Sequence, residues 1–158
     1  MNPSPSILPA LVCLALVILG ATTRLTAQMP HTPKPGSPER HAICDAMRAF
    51  VQAEYAEKTL PKPVVFKIDT LRVQGDFAYL ECLPLFSDGT DAVPQYLPDI
   101  GYMHCLQRGP NGWKVILDLS RTDVPDTTEV RQIQQRLPPT FPHTLLSTFW
   151  RDLFRKAR

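Results

Sequence analysis

The sequence has little net charge and few short motifs that announce chemistry. Seventeen Lys and Arg stand against fifteen Asp and Glu, a balance of +2. That excludes the basic stripe with which a nucleic-acid binder neutralises phosphates. No Cys-x-x-Cys, His-x-x-x-His or His-Glu-x-x-His occurs, so no familiar metal-ligand spacing is present. Gly-x-Ser-x-Gly, Walker and Gly-x-Gly-x-x-Gly patterns are missing too. No cofactor is therefore expected, and no catalytic residue is assigned. Heptads and repeated membrane-length apolar runs are lacking, which excludes a coiled coil and a polytopic membrane protein. Glycine is scarce, with 7 residues, whereas proline is plentiful, with 17, well above the usual share of about 5%. Long unbroken helices are excluded, because proline removes a donor and clashes with the preceding turn.

One long apolar run remains, residues 7–21 (ILPALVCLALVILGA). As a helix it would span about 22 Å, short of a bilayer core of about 30 Å but suited to a signal-peptide apolar region. Ala27 offers a small residue for cleavage. The expectation is a signal peptide at 1–27 and a secreted or periplasmic product. The alternative is an uncleaved anchor at 7–21, since 1–6 lack Lys and Arg and Arg24 lies downstream. Cys13 lies inside the run rather than after a small-residue box, which argues against a lipoprotein.

Residues 28–37 hold several prolines and no apolar periodicity, and read as a disordered leader. A single domain is expected over 38–158, with a core at 38–120 and a helical extension at 121–158. Ser37 precedes Pro38 as a helix start. Ile43, Met47, Phe50 and Glu54 then recur at helical steps, and the helix should end near Lys58, ahead of Pro61 and Pro63. Strands are expected at 64–73, 77–86, 101–108 and 113–120, with Trp113, Val115, Leu117 and Leu119 on one face of the last. Gln74-Gly75-Asp76 and Gly109-Pro110-Asn111-Gly112 mark reversals. Asp126 should cap a helix over 127–137, and Thr144 a last one. In that last helix Leu145, Leu146, Phe149, Trp150, Leu153 and Phe154 form an apolar stripe, with Arg151, Arg155, Lys156 and Arg158 off it.

The order predicts an α+β fold: an N-terminal helix packed on a four-stranded antiparallel sheet, followed by short C-terminal helices. This arrangement resembles the cystatin-like architecture over residues 38–120, and more loosely the nuclear-transport-factor-like one. It also looks like small exported bacterial proteins that share a VVFKIDTLRV-like strand (residues 64–73) and a GDFAYL-like return (75–80). The resemblance implies a curved sheet wrapping a helix. It does not imply cystatin-type inhibition, because the Gln-Val-x-Val-Gly-type hairpin of that family is missing.

Three cysteines follow residue 27. Cys82 and Cys105 lie near the middles of adjacent strands, so a disulfide between them is one expectation. Three reduced thiols, or a bridge using Cys44, are the others. The stretch 87–100 has two prolines and three aspartates, and a connection of that length is often functional. It supplies Asp88, Asp91 and Tyr96 as candidate contact residues. Trp150 and Phe154 are further candidates, because the last helix could dock on its own sheet, on a protein partner, or on an anionic membrane surface through 145–158.

Taken together, these features describe an exported, non-enzymatic binding or protein-interaction module of the cell envelope. A small pocket enzyme of isomerase or hydratase type is the alternative. Tyr79, Glu81, Tyr102, His104 and Asp118 are its polar strand candidates, and it would need a cavity in which Glu81, His104 or Asp118 converge. A membrane-anchored accessory protein is the third reading.

Overall fold

A computed structural model of the chain describes residues 29–54, 60–92, 102–120 and 124–158. The expected signal peptide and Tyr96 lie outside the described residues. The architecture is α+β: helix α1 (Pro38–Glu54), strands β1 (Val64–Gln74), β2 (Phe77–Phe86), β3 (Tyr102–Gly109) and β4 (Gly112–Asp118), then α2 (Thr127–Arg136), a 3₁₀ turn (His143–Leu145) and α3 (Thr148–Lys156). The strands form one antiparallel sheet in the order β1-β2-β3-β4.

Local chemistry sets the reversals. Gly75 supplies the positive φ, +59°, at the first central position of the β1–β2 turn. Pro110 and Asn111 turn the chain between β3 and β4, and Gly112 follows at φ +97°. Helix α1 starts as its sequence suggests: Arg40 N donates to Ser37 Oγ at 3.3 Å and His41 N to Ser37 O at 3.0 Å. Its inward face is Ile43, Met47 and Val51, at steps of four. Phe50 is only partly buried and Glu54 is exposed.

Two bulges decide which residues line each sheet face. In β1 the pairing with β2 skips Asp69, so Leu71 and Val73 join Phe66 and Ile68 toward α1. In β4 the pairing with β3 skips Ile116. One extra residue inverts the alternation beyond it. Trp113 and Val115 therefore pack under α1, whereas Leu117 and Leu119 point to the opposite side. The expectation that all four share one face fails for this reason.

The opposite face has its own cover. Tyr79, Cys105, Leu117 and Leu119 pack with Val130, Ile133, Leu137, Phe141, Leu145, Leu146, Trp150 and Phe154 from the C-terminal segment. The sheet is thus the middle layer of three. Asp126 starts α2 with a capping box: Asp126 Oδ1 accepts from Thr128 N at 2.7 Å and Glu129 N at 2.8 Å, and Glu129 Oε2 accepts from Asp126 N at 2.9 Å. The last helix begins after Ser147 rather than Thr144, because a 3₁₀ turn intervenes. Arg72 reaches across from β1 and donates to Leu145 O and Leu146 O at 3.4 and 3.2 Å. Arg131 Nε donates to Ala157 O at 2.8 Å, a cation placed on the negative end of α3.

From residue 29 onward the leader is docked rather than disordered. His31 and Val73 exchange backbone hydrogen bonds of 2.9 and 2.8 Å, which extends the β1 edge. His31 Nε2 lies 2.8 Å from Glu39 Oε2, Pro33 is buried, and Arg40 Nη1 donates to the Pro33 carbonyl at 3.3 Å. Proline costs nothing here, because the residues beyond the single bridge form no ladder.

Removing the Trp150 indole empties a fully buried site. Trp150→Ala should destabilise by about 3–5 kcal/mol in urea melts. Phe149→Ala, at a side chain still 48% exposed, should cost about 1 kcal/mol or less. Equal losses at the two positions would contradict the packing of α3.

Candidate functional site

The polar strand residues separate into two groups. In the β2–β3 register, Glu81 faces Met103 and Leu80 faces His104. Directly paired residues share a face, so His104 points toward α1 and Glu81 away from it. Tyr79 follows Glu81 and donates to its Oε1 at 2.6 Å. Burial, then the carboxylate beside it, pushes the Tyr79 hydroxyl far above the ordinary phenol range. His104 and Asp118 do meet, as cross-strand partners with Nε2 and Oδ1 3.4 Å apart. The imidazole is fully buried, 5.1 Å from the Phe50 ring and 6.0 Å from Tyr102. Asp118 also accepts from Ser120 N at 2.8 Å, and Ser120 Oγ accepts from Met103 N at 2.8 Å. This group ties the end of β4 to β3. Of the three residues expected of a pocket enzyme, His104 and Asp118 come together and Glu81 stands on the other face of the sheet.

The aspartates after β2 form a self-contained reversal. Asp88 Oδ1 accepts from Thr90 N at 3.1 Å and from Thr90 Oγ1 at 2.7 Å, while Lys62 pairs with its other oxygen. These donors hold the carboxyl well below the usual carboxylate range. Asp91 bridges to Leu85 through the backbone. Of the other candidate contact residues, Trp150 is 0% and Phe154 2% exposed. Both are core residues of the extension side and offer no surface to a partner.

The expected disulfide does not form. Cys44, Cys82 and Cys105 are free thiols. The register pairs Cys82 with Tyr102 and Cys105 with Tyr79. The two cysteines therefore stand on opposite faces of the sheet, one in each core. Burial pushes both thiols far above their ordinary pKa, and raises that of half-buried Cys44.

The recess with a coherent chemistry lies beside α3. It is an open groove of about 460 Å³. It is lined by Thr148, Arg151, Asp152, Phe154 and Arg155 of α3, by Arg158 just past the helix end, and by His143 and Thr144 of the 3₁₀ turn. The Phe154 ring lies 5.4 Å from that of His143. Arg151 and Arg155, at i and i+4, project from one side of the helix. Arg155 Nη2 pairs with Asp152 Oδ1 at 3.0 Å. Arg151 donates to Thr148 Oγ1 at 3.1 Å, and neither Arg151 nor Arg158 forms an ion pair among the described residues. Burial, and then the Arg158 guanidinium, lower the His143 pKa. The sequence placed these arginines off the apolar stripe. It did not place His143 in the same recess, because that juxtaposition needs the 3₁₀ turn to fold back against Phe154.

No family model, characterised protein or solved structure matches this chain. Among the described residues, no helix is long and apolar enough to cross a membrane.

Two measurements check this site. Arg158→Gln should raise the His143 pKa toward the free-histidine value, read by imidazole NMR titration, while Arg131→Gln should leave it in place. Alkylation of the folded chain at pH 8 should reach Cys44 before Cys82 and Cys105, which should react only on unfolding. A mass two hydrogens short, restored by reductant, would reveal a bridge instead.

Proposed function

We propose that this chain is an exported binding module of the cell envelope, secreted or periplasmic, whose contact surface for an acidic partner is the groove beside α3. One observation carries the reading: Arg151 and Arg158 line an open recess and form no ion pair among the described residues. Elsewhere arginines serve structure, as Arg72 and Arg131 do by capping carbonyls. Two guanidiniums left open on one flank attract anions and speed their encounter. The apolar run at 7–21 supports export.

Contact with an anionic membrane through 145–158 has less support. An interfacial helix needs its apolar face for the bilayer, and Leu145, Leu146, Trp150 and Phe154 are spent in the protein's own core. The pocket-enzyme reading keeps the His104–Asp118 pair but not Glu81, which the strand register turns to the other face of the sheet.

Polyglutamate serves as a model acidic partner. Its binding, followed by Trp fluorescence, should weaken as salt rises. The double variant Arg151→Glu/Arg158→Glu should reduce affinity at least about tenfold, because each lost charge-assisted hydrogen bond costs about 1.5–3 kcal/mol. Lys67→Glu/Lys114→Glu, an equal charge change on the sheet edges, should have little effect. Equal losses in the two double variants would sink the groove assignment. N-terminal sequencing of the exported product should read Gln28 first, and an intact Met1 in a membrane fraction would make the chain an anchored accessory protein.

A further inference from the structure

We infer that the groove beside α3 is a site for a small, soluble phosphate monoester, with the dianionic phosphate held between the arginine flank and His143. This inference rests on the groove being the contact surface, and it names the ligand class.

Charge, donor placement and size all point to that class. The groove side chains carry three guanidiniums against one carboxylate, Asp152, and Arg155 holds that carboxylate at 3.0 Å. The donors come from two segments. Arg151 on α3, Arg158 just past it and the His143 ring of the 3₁₀ turn all line the recess. Thr148 Oγ1 accepts from Arg151 at 3.1 Å, which leaves its own hydrogen to donate into the groove. Thr144 contributes no proton, because its hydroxyl donates to Gln74 Oε1 at 3.1 Å. A planar carboxylate satisfies donors lying near one plane. A tetrahedral oxyanion directs its oxygens out of any one plane, and guanidinium forks suit its edges. The volume, about 460 Å³, falls within the range of small-molecule sites. It has room for an organic group beyond the phosphate.

A lipid headgroup would present the same phosphate, but the helix geometry opposes it. The exposed aromatic of α3 is Phe149. It stands two residues from Arg151, about 200° around the helix. A bilayer that received the Phe149 ring would lie on the flank opposite the groove. A soluble ligand meets no such conflict.

The test titrates the full exported chain with glycerol 3-phosphate, inorganic sulfate, succinate and vesicles containing phosphatidic acid. Calorimetry and the His143 imidazole resonances report binding. Glycerol 3-phosphate and sulfate should both shift His143, and succinate should bind at least about tenfold more weakly. Arg151→Gln and Arg158→Gln should each lower glycerol 3-phosphate affinity about tenfold or more, with unchanged melting temperature as the check on folding. The milder His143→Asn should retain sulfate binding and weaken it severalfold. Succinate binding as tightly as glycerol 3-phosphate would overturn the ligand class. So would binding confined to vesicles, or polyglutamate binding with no response to any small anion. In each of these outcomes the groove remains a contact surface if the Arg151→Glu/Arg158→Glu variant still loses polyglutamate. No response to polyglutamate or to any anion would overturn both readings.

Discussion

A sheet with two apolar faces must keep water off both, and the rest of the fold depends on that requirement. Four strands cannot hide their own side chains. Helix α1 covers one face with Ile43, Met47 and Val51. The other face is covered only because the chain continues past β4 and returns with Val130, Ile133, Leu146, Trp150 and Phe154. The bulge at Ile116 lets one short strand serve both layers, giving Trp113 and Val115 to the first and Leu117 and Leu119 to the second. The C-terminal segment is therefore half of the core. The groove is the seam where its 3₁₀ turn folds back beside its last helix.

The elements were largely legible in the chain. Strand ends fell within a residue or two of expectation, because Gly75, Pro110 and Gly112 confine the reversals. Asp126 announced the start of α2 as a cap, and Glu129 completes the capping box that the structure adds. The bulges were hidden, since Asp69 and Ile116 sit in runs that alternate acceptably without them. A bulge is settled by which cross-strand pairs fit, and that is a property of two strands together. The same blindness produced the Cys82–Cys105 expectation. Each cysteine is central in its strand, yet the register sets them against Tyr102 and Tyr79.

The candidate site was less legible still. Pattern alone made Trp150 and Phe154 a stripe without saying what would cover it, and the sheet itself does so. Asp88 was read as a contact residue from the length of its connection, and the pattern did not show that Thr90 and Lys62 bond its oxygens. The arginines of α3 were visible as a cationic flank. Their pairing with His143 was not, because it depends on contacts between residues eleven to fifteen positions apart that no local period encodes.

The docking of His31 onto Val73 limits how far the body of the protein can stand from whatever precedes it. Only residues 28–30 separate Ala27 from that attachment point, and an extended chain reaches at most about 3.6 Å per residue. A processing enzyme cutting after Ala27 would work within a few residues' reach of a folded surface, so cleavage before the strand edge closes is sterically the easier order.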